Sequence, residues 1–200
     1  MPKLRLLLTL LSISLLCACS PRDFLTRRLA ANLIAASPVF KARQQVFVRT
    51  GVMSNKDYTS PEYLVLQHHG WIGATNVACP LSVQPPPCWD VVFTPLGVDV
   101  FRSLIPTQDS NKQLFNIPTA RRQMAEITGI SKDGNFADVE FVWRWEPINE
   151  VGAALYDGGT RYVARVAFQH FDDGWRVLEG AALRSNQNLN DALKNSEPER

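Results

Sequence analysis

Between Ala137 and Trp145 the chain alternates cleanly. Val139, Phe141, Trp143 and Trp145 fall on one side and Asp138, Glu140, Arg144 and Glu146 on the other, the period of a half-buried strand, which Pro147 ends. Arg161 to Phe171 repeats the pattern, with Tyr162, Ala164, Val166 and Phe168 on one face, and shorter strands are predicted over Arg121–Ile130 and Trp175–Leu178. Lys132-Asp133-Gly134-Asn135 reads as a hairpin turn, and Asp157-Gly158-Gly159 and Asp172-Asp173-Gly174 also turn the chain back. Asn149 caps a short helix that runs through Tyr156. Together these strands predict an antiparallel meander whose aromatic face needs a cover. Helices supply one in an α+β layer, the expected fold class.

The earlier half carries helix signals. Ser20-Pro21 opens a helix in which Leu25, Leu29, Leu33 and Ala36 share a face, until Pro38 stops it. Two placements of that face are open, against lipid headgroups or against the domain. Gln44 to Val52 is rich in Val and Phe and predicts a strand. The best-marked helix follows: Ser60 as N-cap, Pro61 at the first position, Glu62 at the positive end of the dipole, and Gly70 at the close. Trp89 to Phe93 predicts a strand. Thr94-Pro95 opens another helix, with Leu96, Val100, Phe101 and Leu104 on one face and Pro106 at its end. After Ala182 the chain turns polar and Asn-rich, and residues 183–200 are expected to be a mobile tail.

From Tyr63 to Leu104 the predicted order is helix, strand, loop, strand, helix. Leu66-Gln67-His68-His69-Gly70-Trp71-Ile72, followed later by Phe93-Thr94-Pro95-Leu96-Gly97, is similar to the wing region of winged-helix domains. The resemblance spans about residues 63–104 and implies a small packing module. No basic recognition helix precedes it, so it does not imply a reader of bases. The longer meander resembles in shape the nuclear-transport-factor-2-like and cystatin-like folds, a likeness that leaves function open.

At the start of the chain, Lys3 and Arg5 precede an apolar run from Leu6 to Leu16 that Thr9, Ser12 and Ser14 interrupt. This is too short for a bilayer span, which needs about 20 residues, and it has the form of a signal h-region. Leu16-Cys17-Ala18-Cys19 follows, and Leu16, Ala18 and Cys19 resemble the bacterial lipoprotein signal position by position. The resemblance implies removal of residues 1–18 and a diacylglycerol on the Cys19 thiol. The partner so implied is a membrane, reached through that lipid, and the location is the cell envelope. Ser20 stands where Asp commonly retains lipoproteins in the inner membrane of enteric Gram-negative bacteria, so in such a host the outer membrane is expected. The remaining chain reads as one α+β domain over 19–182, divisible into 39–106 and 112–182.

Charge narrows the partners further. The chain holds 21 Lys+Arg and 19 Asp+Glu, and Lys3 and Arg5 lie in the signal with no acid beside them, so the remainder is balanced. A nucleic-acid partner is not expected, because such binding rests on excess positive charge. Cys79 and Cys88 enclose eight residues, four of them proline. In an oxidising compartment they are expected to pair. Zinc is the rival reading, but two thiolates with no nearby histidine make a poor site.

No constellation rises to catalysis, and neither a metal nor a cofactor is expected. His68 and His69 are adjacent and cannot form an i,i+4 chelating pair; near a helix C-terminus they are favoured electrostatically. His170 with Asp172 is the one conceivable base with an orienting acid. Glu140, Arg144 and Arg165, with Glu146, form an expected charged surface across neighbouring strands, either as ordinary ion pairs or as a binding face. Two functions follow: a non-catalytic envelope lipoprotein that binds an envelope protein or polymer, or a small-ligand-binding or enzymatic domain of nuclear-transport-factor-2-like shape.

Overall fold

The computed structural model describes residues 24–83, 85–105, 114–179 and 187–199. Residues 1–18, Cys19, Ser20-Pro21 and Pro106 therefore lie outside the described residues. The fold is mixed helix and sheet with antiparallel strand pairing. In chain order the elements are α1 (Arg27–Ala36), α2 (Pro38–Lys41), β1 (Gln44–Arg49), β2 (Gly51–Ser54), α3 (Asn55–Tyr58), α4 (Pro61–His68), β3 (Ile72–Val77), β4 (Cys88–Phe93) and α5 (Pro95–Arg102). Then come β5 (Leu114–Asp133), β6 (Phe136–Pro147), α6 (Glu150–Leu155), β7 (Arg161–Phe171), β8 (Gly174–Val177), α7 (Leu189–Lys194) and β9 (Glu197–Pro198). One sheet has the order β1-β5-β6-β7-β8 with β9 on β7; the other has the order β2-β4-β3.

The chain divides into two compact units, and the division is not the sequential one expected at residues 106–112. Unit one takes the described residues up to Phe40, Met124–Trp143, and Tyr162 onward; unit two takes Lys41–Gln123 and Arg144–Arg161. The reason lies in the length of β5 and β6, each of which runs from one unit into the other.

Unit two is built on a core of Val46, Val48, Met53, Tyr63, Leu66, Trp71, Ile72, Val91, Phe101, Ile117 and Val151. The strand expected over Gln44–Val52 is two strands in different sheets. Gly51 has a φ of 87°, which breaks the extended run, and β1 pairs with β5 while β2 pairs with β4. Tyr63 holds the corner: its hydroxyl accepts from Arg49 N at 2.5 Å and donates to Arg49 O at 3.0 Å. Burial of the Tyr63 phenol pushes its pKa up.

Helix α5 starts where Thr94-Pro95 places it. Thr94 accepts from Gly97 N at 3.0 Å as N-cap, and its own hydroxyl donates to Gly70 O at 2.6 Å. Of the face expected on this helix, Phe101 is buried but Leu96 is exposed, and Gly97 beside it is the residue set against the Trp71 backbone. Cys79 and Cys88 form a disulfide, S–S 2.11 Å, closing the loop between β3 and β4.

Unit one packs Ala30, Ile34, Phe40, Val139, Phe141, Trp143, Val166, Phe168, Trp175, Leu189 and Leu193. Helix α1 begins after Thr26, which accepts from Leu29 N at 3.1 Å, and it lies against β8. Its buried stripe is Ala30 and Ile34, one position on from the expected Leu29 and Leu33, and Ala36 is exposed. The stripe is thus used for packing. Residues 187–199, expected within a mobile tail, instead form α7 and β9, with Leu189, Ala192 and Leu193 buried. Asn188 caps α7 by accepting from Asp191 N at 2.9 Å. Among the described residues no helix is long and apolar enough to cross a membrane.

Candidate functional site

A groove of about 530 Å³ opens in unit one, lined by Asp138 and Glu140 of β6, Val163, Ala164 and Arg165 of β7, and Gln187, Ala192, Asn195 and Glu197 of the C-terminal segment. Strand geometry explains its floor. On β6 the apolar parity Ala137, Val139, Phe141, Trp143 turns into the core, so Asp138 and Glu140 must face the other way. On β7, Ala164, Val166 and Phe168 are buried and Arg165 is exposed, again by parity. The wall is brought by pairing of β9 with β7, Tyr162 opposite Pro198 and Val163 opposite Glu197, which carries α7 alongside.

Glu140 is the best-held charge in the groove. One carboxylate oxygen accepts from the Thr128 hydroxyl at 2.9 Å, the other from Arg165 at 3.0 Å, so three neighbouring strands meet on one side chain. The Arg165 guanidinium first, and the Thr128 hydroxyl second, hold the Glu140 carboxyl below the usual glutamate range. Asp138 and Glu197 add acceptors, while Gln187 and Asn195 add amide donors. The lining suits a polar ligand or segment held by hydrogen bonds and charge.

The expected surface of Glu140, Arg144, Arg165 and Glu146 does not assemble as one patch. Glu140 and Arg165 pair in the groove. Arg144 lies in unit two and donates to Gln123 Oε1 at 2.7 Å. Glu146, also in unit two, takes a two-pronged bond from Arg121 at 2.7 and 3.0 Å, and Arg121 holds its carboxyl low. These residues share a strand face, but each has its own cross-strand neighbour. Asp138, Gln187, Asn195 and Glu197 were not singled out in the sequence. Asp138 had the parity of Glu140 to announce it, and Asn188-Leu189-Asn190-Asp191-Ala192-Leu193 carries a cap and an i, i+3, i+4 apolar set.

The histidines are placed apart from the groove lining. His69 stacks on Trp71 at 4.6 Å between ring centres, and His68 stands edge-on to His69 at 5.6 Å. His170 packs on Trp175 at 5.0 Å, and its Nε2 is buried with no hydrogen-bond partner among the described residues. No hydrogen bond joins it to Asp172. Asp173 is the acid engaged at that turn, with Arg176. Among the described residues, no group of three or more His, Cys, Asp or Glu could hold a metal ion.

Compared with known proteins, the chain matches no protein-family model, no curated protein and no solved structure.

Proposed function

We propose that this is a lipid-anchored cell-envelope protein, acylated at Cys19, whose domain acts by binding an envelope protein or polymer and has no turnover of its own. The observation that carries the binding reading is the groove of unit one, where Glu140, clamped by Thr128 and Arg165, stands among Asp138, Gln187, Asn195 and Glu197. Its polar lining favours an extended polar partner over an apolar small molecule, whose pockets are mostly hydrophobic. The lipoprotein signal Leu16-Cys17-Ala18-Cys19 supports the anchor, and Ser20 supports the outer membrane where the host has one. A finer reading of the fold belongs with this proposal: β5 to β8 as a meander covered by α1 and α7, and about residues 63–104 as a winged-helix-like packing module. The locking of Thr94 onto Gly70 and Trp71 supports the second.

The test is affinity capture of the anchored chain from crosslinked membranes, with wild type beside Glu140→Arg, Arg165→Glu and Arg144→Glu. Reversal at Glu140 or Arg165 is expected to lower capture several-fold; Arg144→Glu, outside the groove, is the control. Undiminished capture by well-folded groove variants would defeat the reading. Cys19→Ala is expected to remove fatty-acid labelling. Loss of the cellular role in a folded, correctly located His170→Ala protein would move the proposal to a catalytic or ligand site at that strand end.

A further inference from the structure

The turns that close β5–β6 and β7–β8 lie side by side, joined by the bond from His170 N to Asn135 O at 2.8 Å. Phe24, the first described residue, lies at the same end: Lys132 Nζ is 6.0 Å from its ring and 5.2 Å from that of Trp175. Two aromatic side chains are exposed there, Phe24 at 61 % and Phe171 at 38 %. Arg176 lies over the Phe171 ring at 5.0 Å and pairs with Asp173. We propose that this tip of unit one is the face that rests on the bilayer, with Phe24 and Phe171 at headgroup depth.

The inference rests on the lipid at Cys19 and goes beyond it to an orientation. Only Ser20 to Asp23 separate Cys19 from Phe24. Five chain steps span at most about 18 Å, so the acyl group holds the Phe24 end near the membrane whatever path the chain takes. Tethering at that range supplies a high local concentration of lipid and sets lipid, not a diffusing protein, as the occupant. Aromatic rings flanked by long cationic side chains are the composition that settles at a membrane interface. The two turns carry Lys132 and Arg176 among the bases and Asp133, Asp172 and Asp173 among the acids, with Arg176 paired to Asp173. With charges so nearly balanced, the contact rests on the aromatic rings and depends little on anionic lipid. Strand β7 then leads away from the bilayer. Val163, opposite Glu197, lies eight residues from Phe171, about 26 Å along the strand, so the groove is lifted off the surface toward its partner.

The chain itself permits a clean test. With Cys19 acylated and Cys79 bonded to Cys88, a cysteine introduced at the surface is the free thiol. Full-length, processed chains carrying Asp133→Cys, Asp172→Cys or Glu197→Cys are labelled with a polarity-sensitive fluorophore. They are then reconstituted in phosphatidylethanolamine–phosphatidylglycerol vesicles with or without brominated acyl chains. Bromolipid is expected to quench the labels at 133 and 172 several-fold more than the label at 197, and Phe24→Ser with Phe171→Ser to reduce that difference. Equal quenching at all three positions in a chain that still pellets with vesicles overturns the orientation and leaves the anchor standing. A wild-type chain that carries no fatty acid and stays in solution overturns the anchor and this inference together.

Discussion

Gly97→Ala is a substitution whose sign the structure decides. A glycine inside a helix ordinarily costs about 1 kcal/mol relative to alanine, so replacing one usually stabilises. Here a Cβ would overlap the Trp71 carbonyl oxygen and come within 2.8 Å of its carbon and 3.1 Å of its Cα. All three atoms are backbone, so no rotamer relieves the clash. The first turn of α5 would have to withdraw from the start of β3, putting at risk the bonds from Thr94 N to Trp71 O at 3.1 Å and from Thr94 Oγ1 to Gly70 O at 2.6 Å. Overpacking costs about 1–3 kcal/mol and each lost hydrogen bond about 1 kcal/mol. After the helix-propensity gain, a net loss of about 2–4 kcal/mol is expected. The assay is urea denaturation followed by circular dichroism, on chains that begin after Cys19. Gly73→Ala is the control, since its Cβ would meet only Thr94 Cγ2 at 3.7 Å, an ordinary contact. A Gly97→Ala protein as stable as wild type, or more so, refutes the reasoning.

Three further outcomes are expected. Intact mass of the non-reduced protein should show no free thiol at Cys79 or Cys88, and replacing both with serine should lower stability by about 1–3 kcal/mol, less than ring closure alone implies because prolines already stiffen the loop. Leu189→Ala, at a fully buried position of α7, should cost about 2–5 kcal/mol in the same denaturation assay; no change would mean that the segment does not pack. Arg165→Met should raise the Glu140 pKa toward the ordinary value, read by carboxyl-carbon NMR titration. Because the folded value is depressed, the stability linked to Glu140 is fully present above the ordinary glutamate pKa and lost as pH falls through the lower folded one. For so exposed a pair it should be small, under about 1 kcal/mol.

Local chemistry was readable where a residue's own backbone preference decides. Thr94 and Asn149 cap their helices as their spacing implies, and Gly70 and Gly134 occupy positive φ at a helix end and a hairpin. What escaped was set by tertiary neighbours. Periodicity alone cannot say that Gly51 hands the chain to a second sheet, since Val46, Val48 and Val52 continue the same β-rich run. The buried face of α1 lies one residue on from the pattern: Leu29 and Leu33 outrank Ala30 in hydrophobicity, yet Ala30 and Ile34 are the buried residues of the helix, which packs on β8. Val142 and Ala167 mark the deeper miss. Both are buried though they share the parity of Glu140 and Arg165, so unit one is covered over part of its polar face as well.

The same distinction governs the site. Its floor follows from strand parity, which sets Asp138 and Glu140 of β6 and Arg165 of β7 on the face away from the core. Parity, however, fixes a face and not a neighbour. Arg144 and Glu146 stand on the face of Glu140, yet at about 3.3 Å per residue they lie roughly 13 and 20 Å further along the strand, opposite Gln123 and Arg121 instead of Arg165. The wall depends on residues whose composition is that of a loose tail and whose order comes from docking. Leu189, Ala192 and Leu193 are buried where the segment docks, held by the bonds from Leu189 N to Leu178 O at 2.7 Å and from Ala167 N to Gln187 O at 3.1 Å and by the pairing of β9 with β7, and an isolated helix of this length would not persist in water. The groove is therefore conditional on the C-terminal segment: strip that segment away and Glu140 and Arg165 remain as a surface ion pair on an open sheet, with no walls to select a partner.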